Sequence, residues 1–91
     1  MVMLHAEIPP GTQHSLHRHP GADQVTFVLE GTCEHFTETR ATLVEKGDVL
    51  FTPAGEWHGT RNETEVLTVM LTVYAGVGTA AEAGYELPDA R

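Results

Sequence analysis

His17 and His19 stand one residue apart in the run HRHPGADQ, residues 17–24, which closes on Asp23 and Gln24. Imidazoles at i and i+2 share one face of a β-strand, while Arg18 between them points the other way. Their nitrogens are then close enough to reach one ion at about 2.0–2.1 Å. Asp23 and Gln24 each offer an oxygen to the same ion. A third imidazole is available at His58, which follows the turn-forming run PAGEW. A turn there swings the chain back toward the same opening. The ion implied is a divalent transition metal, and zinc, nickel, iron, manganese and copper all suit imidazole ligands.

The elements that must position these residues are strands. Short β-rich runs recur at Val2–Ile8, Gln24–Glu30, Thr32–Thr37, Ala41–Glu45, Val49–Thr52 and Glu65–Tyr74. Turn chemistry separates them at Pro9-Pro10-Gly11, Pro20-Gly21, Lys46-Gly47-Asp48 and Pro53-Ala54-Gly55. The pattern predicts an all-β fold, an antiparallel sandwich or small barrel. Residues 1–78 form that domain, and 79–91 read as a C-terminal tail or arm with a weak helical pattern.

Composition narrows the partners. The chain has 91 residues, enough for one small domain, and at 41% hydrophobic and 20% charged it is globular. Thirteen acidic residues against five basic ones give a net charge of −8, which argues against nucleic acid, as does the lack of a Lys/Arg cluster. No apolar run reaches membrane-spanning length, and no basic segment precedes an apolar one at the start of the chain. A single cysteine, Cys33, suits a reducing compartment and reads as a buried, inert thiol. The expected location is the cytoplasm.

Two motifs resemble those of the cupin family. Cupins carry Gly-x5-His-x-His-x3,4-Glu-x6-Gly and Gly-x5-Pro-x-Gly-x2-His-x3-Asn. This chain has Gly11-TQHSL-His17-Arg-His19-PGAD-Gln24-VTFVLE-Gly31 for the first motif. For the second it has Gly47-DVLFT-Pro53-Ala-Gly55-EW-His58-GTR-Asn62, without departure. The resemblance implies a small antiparallel β-barrel, the double-stranded β-helix or jelly roll of cupins. It also implies a metal on His17, His19 and His58.

Gln24 stands where the family has glutamate. Its distances to His19 and Gly31 both fit the motif, whereas Asp23 fits only one of them. Strand alternation puts Gln24 with Thr26 and Val28, and Asp23 with Val25, Phe27 and Leu29. Gln24 is therefore favoured as fourth ligand, with Asp23 the alternative. Glutamine also replaces glutamate in some small cupins, among them uronate-linearising ones with a similar His-x-His-Pro run. Three imidazoles and an amide leave the ion's double charge uncompensated, which favours anionic ligands and Lewis-acid chemistry.

Thr26, Val28 and Phe51 are the expected pocket lining, with Trp57 and Arg61 near the rim. His35 shares a strand face with Cys33 and is the candidate proton shuttle. His5 and His14 read as surface or rim residues. The favoured function is a metal-dependent enzyme that isomerises, opens or cyclises a small anionic metabolite. An iron-dependent dioxygenase and a non-catalytic ligand-binding module are the alternatives. Phe27 and Leu29, on the face away from the ligands, need burial and predict a homodimer.

Overall fold

The computed structural model describes residues 1–88, which form eight strands and one short helix. The strands are β1 (Val2–Ile8), β2 (Gln13–His17), β3 (Asp23–Glu30), β4 (Thr32–Thr37), β5 (Ala41–Glu45), β6 (Val49–Thr52), β7 (His58–Arg61) and β8 (Thr68–Ala75). Helix α1 covers Ala80–Ala83. One sheet has the order β1-β8-β3-β6 and the other β2-β7-β4-β5, with every ladder antiparallel. The protein is all-β, a double-stranded β-helix, as its sequence predicts.

Alternation along the strands builds the interior in layers. Val28, Met70 and Ile8 of the first sheet meet Cys33 and Val44 of the second in a closed apolar end. Above it the layers become polar. Thr26 and Thr72 pair across β3 and β8, opposite the row His14, Thr60, His35 and Thr42. The top layer sets Gln24 between Thr52 and Tyr74, and His58 between His17 and Thr37. Hydrophobic burial therefore stabilises one end of the barrel and leaves the other for chemistry.

β1, β4, β5 and β6 have the expected limits, and β3 starts one residue earlier, at Asp23. β8 starts three residues later than the apolar pattern suggests, because Asn62 organises residues 62–66 into a turn. Its fully buried amide donates to the Ile8 and Val66 carbonyls at 2.8 and 2.7 Å and accepts from the Thr64 amide at 2.9 Å. β2 and β7 are absent from the expected runs, since QHSLH and HGTR hold few β-branched or aromatic residues. Both carry candidate ligand histidines, His17 and His58, and are drawn into the sheet by their neighbours. Gly59 in β7 leaves room for Phe36 to cross it, since a Cβ there would lie 2.3 Å from the Phe36 ring.

Residues 79–88 pack on the barrel. Thr79 caps α1 by accepting the Glu82 amide at 3.2 Å, and Ala83 is fully buried against Ala22, Tyr74 and Val77. The last three positions of that expected tail, 89–91, lie outside the described residues.

Candidate metal centre

β2 brings in His17, the turn after it His19, and the start of β7 His58. All three are buried, and their candidate ligand nitrogens lie within 4.8 Å of one another. Ring centroids are 4.4 Å apart for His17–His58, 4.9 Å for His17–His19 and 5.5 Å for His19–His58.

Each ring is oriented by a backbone carbonyl. His17 Nδ1 lies 2.6 Å from the Ser15 oxygen, His58 Nδ1 3.0 Å from that of Glu56, and His19 Nδ1 2.7 Å from that of Gly84. A carbonyl only accepts, so all three Nδ1 atoms carry the proton and donate it. The Nε2 atoms are thereby left unprotonated, and this is the tautomer in which imidazole binds a metal through Nε2. The Tyr74 hydroxyl, 3.4 Å from His19 Nε2, donates to its lone pair. Electrostatics agree with the neutral form. Burial pushes His58 down to about 4, with the neighbouring imidazoles adding to the effect, and burial also lowers His17.

The fourth donor is read from an orphaned atom. Gln24 Nε2 donates to Thr26 Oγ1 at 3.0 Å, while Gln24 Oε1 is buried without a hydrogen-bond partner. Gln24 lines the same cavity as the three histidines. A buried carbonyl left unpaired is costly, and a cation would satisfy it. Asp23 is employed elsewhere. Its Oδ1 accepts the Ala54 amide at 2.9 Å and so anchors the turn that leads to His58. The Gly55 amide donates to the His19 carbonyl at 3.1 Å, tying that same turn to the first histidine pair. The donor set, three neutral imidazoles and one amide oxygen, fits a divalent transition metal.

The cavity has a volume of about 280 Å³, and among the described residues no Asp, Glu, Lys or Arg lines it. Thr26 and His35 line it. The His35 ring stacks against His58 at 5.9 Å, and burial keeps its pKa below the ordinary value. Four expected pocket residues sit elsewhere. Val28 is in the closed apolar end, one layer too deep. Phe51 lies on the outer face of β6, because Leu50 and Thr52 are the residues that register with Thr26 and Gln24 inside. Arg61 is outside β7, over the Phe36 ring at 4.6 Å and paired with Glu34. Trp57 is buried beneath the Arg18 guanidinium, 4.7 Å away, and does not face the cavity.

His14, Thr60, Thr72 and Tyr74 line the cavity without having been anticipated as lining. Thr72 and Tyr74 follow Met70 at steps of two, so the alternation of the last strand was the available signal.

A sequence model of the cupin domain matches residues 4–74. The chain belongs to the cupin family. This cupin is 30% identical over 69 residues to an oxalate-binding protein of Thermotoga maritima, covering 71% of this chain and 57% of that relative. The chain thus spans little more than half of that relative's length. A double-stranded β-helix domain protein of Klebsiella pneumoniae superposes with a TM-score of 0.83 at 23% identity, covering 93% of the cupin and 71% of that chain. A predicted oxalate decarboxylase of Thermotoga maritima superposes at 0.75 with 27% identity, over 80% of the cupin and 64% of that chain. Among the described residues no helix is long and apolar enough to cross a membrane.

Proposed function

We propose that this cupin is a metal-dependent enzyme that holds a small carboxylate-bearing metabolite at His17, His19, Gln24 and His58. The observation that carries the reading is the neutral donor set: three Nδ1–H groups tied to carbonyls and one unpaired amide oxygen. With no Asp, Glu, Lys or Arg lining the cavity among the described residues, an anionic ligand would balance a divalent ion there. The names of the Thermotoga maritima matches, an oxalate-binding protein and a predicted oxalate decarboxylase, make oxalate the first probe.

A divalent metal at this site supplies a Lewis acid that polarises carboxylate or carbonyl oxygens. The chain supplies the rest. Thr26 and Thr72, whose hydroxyls lie 3.4 Å apart, and Thr60 offer hydrogen bonds to ligand oxygens. Leu4, Leu50 and Met70 give the cavity apolar walls. His35, neutral by burial, accepts or returns a proton at a carbon or oxygen of the ligand.

The test is to reload the purified protein with each candidate metal, titrate oxalate and longer carboxylates by calorimetry, and follow products by NMR. Failure to take up any metal stoichiometrically would reject the reading. Ligand-dependent turnover lost in His35→Gln, with binding kept, supports the enzyme. A second reading, carboxylate binding without turnover, is favoured by the name of the oxalate-binding relative and predicts tight binding with no product. Oxygen consumption by iron-loaded protein tests the oxidative alternative.

We also propose that the cupin is a homodimer. The outer face of the first sheet carries a row of Met3, Val73, Val25 and Phe51 beside a row of His5, Leu71, Phe27 and Val49. Phe51, Val49 and Met3 are more than half exposed. A second copy of the same face would bury these rows.

A further inference from the structure

The three ligand histidines are not oriented in the same way. His17 and His58 find their Nδ1 acceptors two residues back in the chain, at Ser15 and Glu56. His19 finds its acceptor 65 residues away, at Gly84, in the segment that follows α1. Two of the rings are therefore set locally, and the third depends on how the C-terminal segment is docked.

That docking is specific. Arg18 and Glu86 exchange both backbone hydrogen bonds at 3.0 Å, and their side chains meet at 2.5 Å between Nε and Oε1. The Gly21 amide donates to the Ala83 carbonyl at 2.8 Å. The approach is so close that a Cβ at Gly21 would lie 2.4 Å from the Glu82 carbonyl oxygen. The Tyr85 ring stacks on His17 with centroids 5.1 Å apart and planes 24° from parallel. The strap so formed is one wall of an open cavity of about 700 Å³ that also touches His14, His17, His19 and Tyr74.

We infer that this strap is part of the metal site, with Gly84 and Glu86 as positioning residues for His19. The Gly84 carbonyl selects the Nδ1–H tautomer, and the Arg18–Glu86 clasp holds Gly84 in place. Strap docking and metal binding are then coupled, and coupling between two binding events is reciprocal. The docked strap slows metal loss, and bound metal protects the strap from local opening. The inference rests on the metal reading above, but the hold on His19 exists in metal-free protein and is measured there.

The experiment compares the full chain with Gly21→Ala, Glu86→Ala and Glu86→Gln. Ring-nitrogen NMR of metal-free protein reports the tautomer of each histidine, and transfer of loaded zinc to a chelator reports its dissociation rate. In Gly21→Ala, His19 alone should lose its single tautomer while His17 and His58 keep theirs, and zinc loss should quicken about tenfold. Glu86→Ala, which keeps the backbone pair, should show a smaller change in the same direction, reversed in part by Glu86→Gln. An unchanged His19 signal in both Gly21→Ala and Glu86→Ala would overturn the inference, as would all three histidines changing together. Wild-type protein that takes up no zinc rejects the metal reading and the coupling with it, while the His19 signals still decide whether the strap orients that ring.

Discussion

Asp23 and Gln24 are adjacent on β3 and face opposite ways: the Asp23 carboxylate accepts the Ala54 amide at 2.9 Å, while Gln24 lines the histidine cavity and its amide oxygen is buried and unpaired. One residue of strand register thus separates a turn anchor from a candidate ligand. The two positions should respond differently to substitution. Gln24→Ala should weaken metal binding roughly 10–100-fold, the range that loss of one supporting group gives. Gln24→Glu should tighten metal binding and weaken carboxylate binding, because a charged ligand compensates the ion. Asp23→Ala should keep metal stoichiometry and cost about 1 kcal/mol of stability by freeing the turn. Elemental analysis beside denaturant titration distinguishes the three variants. Metal lost in Asp23→Ala and kept in Gln24→Ala would reverse the assignment.

Acid should destabilise the metal-free protein through its buried imidazoles. His58 is held down to about 4 from an ordinary 6.5, and His17 and His35 are lowered as well, in each case chiefly by burial. Between those values the unfolded chain binds more protons than the folded one, so stability rises with pH. The contribution is fully present above about 6.5 and is lost as pH falls toward 4. Thermal melts of chelator-treated protein should show Tm falling through this window, and His58→Gln should flatten the profile. A Tm independent of pH there would contradict the burial described.

Most of the fold was legible because strand alternation and glycine–proline turns are local signals. Val2–Ile8, Thr32–Thr37, Ala41–Glu45 and Val49–Thr52 needed nothing else. The histidine cluster was legible for a related reason, since motif spacing encodes which strand ends meet. What escaped was long-range. β2 and β7 lack strand-forming composition and are held by neighbours remote in sequence, and Phe51 was placed inside by a parity that Leu50 takes instead. The Gly84–His19 contact spans 65 residues, and nothing in a Gly- and Ala-rich terminal run announces a role in orienting an imidazole.

Cys33 should behave as a core atom and not as a reagent. It is buried among Ile8, Val28, Val44 and Met70, and burial pushes its thiol up to about 11. A thiolate is therefore scarce at neutral pH, and access is blocked. Aromatic disulfide reagents should label it only as fast as the protein unfolds, with the rate rising in denaturant. Cys33→Ser should cost about 1–3 kcal/mol by placing a hydroxyl among apolar side chains. Rapid labelling of the folded protein would show that the closed end of the barrel is open to solvent.

The exposed face of the first sheet makes the last prediction, because a four-strand apolar surface is unfavourable for a monomer in water. Phe27 stands at its centre, between Leu71 of β8 and Val49 of β6, and is 37% exposed. Light scattering coupled to size exclusion should give twice the chain mass for the wild type. Phe27→Glu places a carboxylate opposite its own copy across a two-fold interface, so repulsion and lost apolar burial act together. That variant should elute as a monomer and retain the metal, since His17 and His58 belong to the second sheet and line the barrel interior, away from this face. A monomeric wild type would reject the homodimer, and a Phe27→Glu dimer would move the interface off this face, with the edge strand β1 the next surface to test.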